Sequence, residues 1–147
     1  MEATAKHLGH VPPVMARLAE SPEMLSTFLK ASGTFEASTL DPVAQEVVVM
    51  TIAVRNGCQV CIAMHSPRLP ADVAAALIAE KELDDPKLAA VQAFTKALYR
   101  STGDVDEVDL SAFLNAGYTH RNALEVVLGI GTYTMSTFAN RLVECGS

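Results

Sequence analysis

The stretch Asp41-Pro-Val-Ala-Gln-Glu46-Val-Val-Val-Met-Thr-Ile-Ala-Val-Arg-Asn-Gly57 decides the fold class. Its β-branched residues around Val49 and Ile52 lean toward strand, yet the run between breakers is too long for one and no hairpin dipeptide divides it. Asp41 offers a capping oxygen, Pro42 fits the first helical position because its missing N–H is not needed there, and Asn56-Gly57 supplies a C-terminal stop. The run is apolar on most sides, so it predicts a largely buried helix of about four turns.

The same punctuation recurs outward along the chain. Ser21-Pro22 and Asp85-Pro86 each place a capping side chain before a proline, and each predicts a helix start. The segments Asp72 to Glu80 and Pro86 to Tyr99 carry apolar residues at helical spacing, the second at Leu88, Val91, Phe94 and Leu98. A shorter helix is expected over Glu107 to Ala116, stopped by Gly117. A last one is expected from Asn122 to about Val143, opened by Thr119 or its neighbour. Gly129 and Gly131 inside that helix imply either a close approach of another backbone or a kink. Glu46-Val47-Val48 and Glu125-Val126-Val127 share a pattern too short for a repeat, and they read as two helices of similar burial. The whole is an all-α chain of seven or eight helices, read as a single domain over residues 1–147.

Composition narrows the function. Half of the 147 residues are hydrophobic and 19% are charged, a mixture that excludes intrinsic disorder and requires a large core. Aromatics make up 5% and Trp is absent, so aliphatic residues must fill that core; the surplus also hints at apolar surface left for partner subunits. A formal net charge of −6, with no basic run, repels phosphate backbones and argues against nucleic acid and anionic membranes. The N-terminal residues lack the apolar stretch of a signal peptide, and Val47 to Val54 is too short to span a bilayer. A cytoplasmic location is the expectation. Three cysteines, Cys58, Cys61 and Cys145, are too few and too unevenly placed for a secreted disulfide framework.

Two of those thiols stand close together, in Asn56-Gly-Cys58-Gln-Val-Cys61-Ile-Ala-Met-His65-Ser-Pro67. If a helix begins at Gly57 or Cys58, positions 58, 61 and 65 share one face. A Cys-x-x-Cys pair at a helix start can close a disulfide, and the free N–H groups there stabilise a thiolate. His65 lies one turn from Cys61 and can serve as its proton acceptor. Glu46, among Val47, Val48 and Val49, is expensive to bury unless something pairs with it, and it is the candidate acid behind His65. A metal site is the competing reading, but zinc requires four ligands and Glu46 comes from a separate helix. His7, His10 and His120 read as surface residues and Cys145 as an uninvolved thiol. Met15, Met24, Met50, Met64 and Met135 read as core or interface filler, and the acidic run Asp104 to Asp109 as a solvated helix entry.

The spacing Glu46-x11-Cys58-x2-Cys61-x3-His65 resembles the signature of alkylhydroperoxidase D-like proteins of the carboxymuconolactone decarboxylase superfamily. Leu40-Asp41-Pro42, Asn115-Ala-Gly-Tyr-Thr119, Ala123-Leu-Glu-Val-Val127 and Asn140-Arg141 extend the likeness over roughly residues 15–143. The resemblance implies a helical fold assembled as a homotrimer or homohexamer, and a cofactor-free thiol peroxidase without a metal. It further implies that Cys61 attacks a hydroperoxide, Cys58 resolves the product, Glu46 and His65 relay protons, and an external dithiol or lipoyl-type donor restores the pair. Helix-end electrostatics favour Cys58 as the low-pKa thiol, whereas the resemblance and the His65 neighbour favour Cys61. Val60 stands where some members carry a His, which removes one relay member and makes slow turnover an expectation. A lactone decarboxylase and a non-catalytic redox-sensing oligomer are the alternatives within the same fold.

Overall fold

In a computed structural model the described residues are 18–145, with the side chain of Cys145 outside the description together with His7, His10 and Met15. They form seven α-helices: α1 (Pro22–Glu36), α2 (Pro42–Arg55), α3 (Gln59–His65), α4 (Ala71–Ile78), α5 (Pro86–Ser101), α6 (Glu107–Asn115) and α7 (His120–Cys145). A 3-10 turn, Ser66–Arg68, follows α3, and no strand occurs among the described residues. The all-α reading holds, and the helix bounds differ from those expected by one or two residues at most ends.

The proline-marked starts are capped as their side chains dictate. Ser21 accepts from Met24 N at 3.3 Å, Asp41 from Ala44 N at 3.0 Å, and Asp85 from Lys87 N and Leu88 N at 2.8 and 3.2 Å. Thr119 and Asn122 cap α7 reciprocally, each side chain accepting from the other's backbone N–H at 3.0 Å. Helix α2 is the central element, packed against α3, α4, α5 and α7. Its residues from Val47 to Ala53 are all buried, which explains why β-branched side chains dominate a helix: tertiary burial overrides their modest propensity.

Gly129 in α7 meets side chains, not another backbone. A Cβ there would lie 2.7 and 2.9 Å from the Phe35 ring and 3.0 Å from Val48 Cγ1, so the glycine lets α7 close onto α1 and α2. A Cβ on Gly131 would meet nothing within 4 Å. The matched segments at Glu46 and Glu125 also differ from the expectation of similar burial. Val47 and Val48 are fully enclosed, whereas Val127 lies 49% exposed. It belongs to an apolar stripe on α7 with Leu124, Phe138 and Leu142, all exposed at helical spacing. Met64, too, is exposed and is not core.

Glu125 clasps the α1–α2 connection. Its carboxylate accepts from Thr39 N at 2.8 Å, Thr39 Oγ1 at 2.6 Å and Asn122 Nδ2 at 2.9 Å. Burial alone pushes its pKa up, but the Thr39 and Asn122 hydrogen bonds and the Arg121 charge outweigh it and hold the carboxyl below the ordinary value of 4.5. A depressed native pKa adds stability that is complete above 4.5 and disappears as pH falls through the native value. Glu125→Gln is therefore expected to lower Tm near neutrality. Its difference from wild type should shrink as pH is taken to about 3 in thermal melts. A difference independent of pH would contradict this account.

Candidate functional site

The turn between α2 and α3 sets the site. Asn56 ends α2, and Gly57 follows at φ +66, a left-handed conformation that favours glycine. A Cβ on Gly57 would also stand 2.6 Å from an Arg141 guanidinium nitrogen, which donates to Asn56 O at 2.7 Å. The Asn56 side chain donates to Thr137 Oγ1 at 3.0 Å and accepts from Tyr99 OH at 2.7 Å. Helices α5 and α7 thus pin the residue pair that precedes the cysteines.

Helix α3 begins at Gln59 rather than at Gly57 or Cys58, and Cys58 is its N-cap. Cys58 Sγ accepts from Cys61 N at 3.4 Å, the bond that Ser or Asp makes at other helix starts. Cys58 and Cys61 are joined as a disulfide, with their Cα atoms 5.3 Å apart. Cys58 is fully buried, and Cys61 retains 6% of its surface, so Cys61 is the less enclosed residue of the pair. Ser66-Pro67 ends the helix after His65 and leads into the 3-10 turn that carries Arg68.

Glu46 and His65 meet. The side chains are each 12% exposed, and His65 Nδ1 lies 2.8 Å from Glu46 Oε2. A carboxylate has no hydrogen to give, so Nδ1–H is the donor, and in the neutral ring the lone pair then sits on Nε2. The other carboxylate oxygen of Glu46 accepts from Arg68 at 3.3 Å, and Arg68 also reaches Glu36 at 3.6 Å. Burial of Glu46 is thus compensated from two sides. The Tyr133 ring packs edge-on against the His65 ring, with centroids 5.5 Å apart, and so limits how the imidazole can turn. Burial, reinforced by the Glu36 and Glu46 charges and opposed by Arg68, pushes the Tyr133 hydroxyl up to about 12. Tyr133 therefore stays neutral throughout the physiological range and is no competing base.

His65 makes no hydrogen bond to Cys61 in the disulfide form. Cys61 Sγ accepts instead from Asn140 Nδ2 at 3.2 Å, across from α7. Four candidates, Glu46, Cys58, Cys61 and His65, thus lie on the facing parts of α2 and α3. Arg68, Tyr133 and Asn140 border them without having been singled out as site residues from sequence. Arg68 follows His65 by three residues and could have been found by spacing; Tyr133 and Asn140 come from a distant helix. His120 is exposed at the start of α7, away from these contacts. Among the described residues no three His, Cys, Asp or Glu side chains converge to hold a metal ion. None of the helices among those residues is long and apolar enough to cross a membrane.

Residues 19–97, just over half of the chain, match the carboxymuconolactone decarboxylase family, and the protein belongs to that family. Among solved structures it is similar to the alkylhydroperoxidase AhpD core of a peroxidase-related protein from Ralstonia eutropha JMP134. The TM-score is 0.79 and the identity 18%, over 98% of this chain and 79% of that one. A peroxidase-related protein from Silicibacter sp. TM1040 superimposes with TM-score 0.76 at 19% identity, over 98% and 78% of the two chains. At these identities the likeness defines the fold, which is that of the AhpD core. A comparison with curated proteins found no match.

Proposed function

We propose that the protein is a thiol-dependent peroxidase that reduces hydroperoxides through Cys61 and Cys58, with Glu46 and His65 as its proton relay. The observation that carries this reading is the 2.8 Å Glu46–His65 pair next along the chain to a Cys-x-x-Cys disulfide whose second cysteine is the less enclosed residue. Glu46 holds Nδ1–H and so presents Nε2 for the Cys61 proton in the reduced enzyme. The Cys61 thiolate attacks the terminal oxygen of the hydroperoxide: an S–O bond forms, the O–O bond breaks, and the departing alkoxide takes the proton from His65 to leave as alcohol. The Cys58 thiol then displaces water from the Cys61 sulfenic acid and forms the disulfide. An external dithiol or lipoyl-type donor supplies the two electrons that reopen it. No cofactor takes part in this scheme.

Glu46→Gln keeps the size and removes the charge. It is expected to lower hydroperoxide turnover with a dithiol donor by roughly 10²-fold while Cys58–Cys61 disulfide formation by diamide continues. Turnover at the wild-type rate would remove Glu46 from the relay. We further propose one domain in a cytoplasmic, homotrimeric or homohexameric protein, whose subunits cover Leu124, Val127, Phe138 and Leu142; light scattering reads that assembly directly. The family's name also covers lactone decarboxylation. Decarboxylation of a carboxylated lactone that survives replacement of both cysteines would replace the peroxidase reading.

A further inference from the structure

Asn140 is nine-tenths buried, yet only half of its carboxamide is used. Its Nδ2 donates to Cys61 Sγ at 3.2 Å, while its Oδ1 is buried and accepts no hydrogen bond. The orientation follows from chemistry: neither a disulfide sulfur nor a thiolate carries a hydrogen, so the NH2 end of the amide must face Cys61. The carbonyl end is then left beside the reacting sulfur without a donor. Buried acceptors are almost always satisfied, and one that is not calls for an explanation, of which a role in the chemistry beside it is one. A fastening role does not account for it. Thr137 and Arg141 already tie this turn of α7 to Asn56, and a fastener would have both ends engaged.

We infer that Asn140 is a further catalytic residue, which stabilises the Cys61 thiolate through Nδ2–H and receives the O–H of the hydroperoxide at Oδ1. The second half rests on the peroxidase reading; the first does not. A charge-assisted N–H···S⁻ bond favours the thiolate. The incoming O–H fixes the oxygen under attack next to the sulfur. As the S–O bond forms and the O–O bond breaks, that hydrogen stays on the transferred oxygen and becomes the sulfenic O–H, still donated to Oδ1. Asn140 itself exchanges no proton. The polarisation explains how Cys61, rather than the helix-capping Cys58, becomes the attacking thiolate. Other ionisable groups on the surrounding elements are Glu36 on α1, Glu46 on α2, Cys58 and His65 beside and on α3, Arg68 after it, and Tyr133 and Arg141 on α7.

The test compares wild type, Asn140→Asp and Asn140→Ala in two measurements. The first is the pH dependence of iodoacetamide alkylation at Cys61 in the reduced protein, assigned by tandem mass spectrometry; the second is kcat and KM for cumene hydroperoxide. Asn140→Asp puts a like charge against the thiolate, so alkylation at neutral pH is expected to fall about tenfold and to recover at higher pH. Asn140→Ala is expected to slow alkylation severalfold but to lose about 10²-fold in kcat/KM, because it removes the peroxide acceptor as well. Wild-type alkylation profiles in both variants would overturn the thiolate role. An equal loss in the two measurements for Asn140→Ala would overturn the role of Oδ1. Should Asn140→Asp fail to fold by circular dichroism, Asn140→Ala carries both readouts. A wild type inert to hydroperoxide would defeat the proposed function and the peroxide half of this inference, while the alkylation profile, which needs no substrate, still decides the thiolate half.

Discussion

Cys61→Ser is expected to lower hydroperoxide consumption by more than about 10³-fold, because a hydroxyl at that position is not ionised near neutrality and cannot become a sulfenic acid. Cys58→Ser should behave differently. It leaves the attacking sulfur in place but removes the one that resolves it, so a single equivalent of peroxide is consumed and Cys61 stops as a sulfenic acid that dimedone can trap. The contrast separates the two sulfurs by chemistry, which their position alone does not. The helix N-terminus favours Cys58, and that sulfur is occupied as the cap of α3 and fully buried. Cys61 has the residual exposure and the Asn140 donor. Dimedone trapping at Cys58 in a Cys61→Ser variant that still turns over would reverse the order of attack.

Gly129→Val is the substitution expected to do most damage to the fold. Even a bare Cβ at this position lies within 3.0 Å of the Phe35 ring and Val48, both almost fully buried, so neither neighbour can move without displacing the core. Overpacking of this kind costs on the order of 3 kcal/mol, and the few tenths of a kcal/mol that Val gains over Gly in helix propensity do not offset it. Tm should fall by about 6–12 °C in a chain of this length. Gly33→Ala provides the opposite arm. A Cβ on Gly33 in the last turn of α1 meets nothing within 4 Å, and Ala there is expected to stabilise by roughly 0.5–1 kcal/mol. Thermal melts of the two variants check both signs; an unchanged Tm for Gly129→Val would show that α7 does not close onto Phe35 as described.

The fold was legible wherever a capping side chain stood before proline, because Ser21, Asp41 and Asp85 act locally and their hydrogen bonds are set by chain geometry. Helix α2 was legible despite its β-branched run, since length between breakers outweighs propensity. Gly129 was harder: sequence can report that a side chain is missing, but not that the Phe35 ring fills its place. The four candidate site residues lay in one segment of sequence, and an unpaired carboxylate among valines was a strong signal that Glu46 had a partner. Tyr133 gave no such signal, and Asn140 stood out only within the Asn140-Arg141 likeness with no role attached, because polar and aromatic residues on a long amphipathic helix look alike until α7 is laid across α2 and α3. The start of α3 at Gln59 also escaped reading, since a cysteine is not an expected cap.

The central claim is that Cys58 and Cys61 exchange two electrons with a hydroperoxide as a unit. Its most direct measurement treats the fully reduced protein with one equivalent of cumene hydroperoxide and follows thiols and intact mass together. The account predicts loss of two thiols per chain, a mass decrease corresponding to two hydrogens, and a Cys58–Cys61 linkage in the peptide map, with Cys145 still free. Retention of both thiols, or oxidation confined to Cys145, would contradict it.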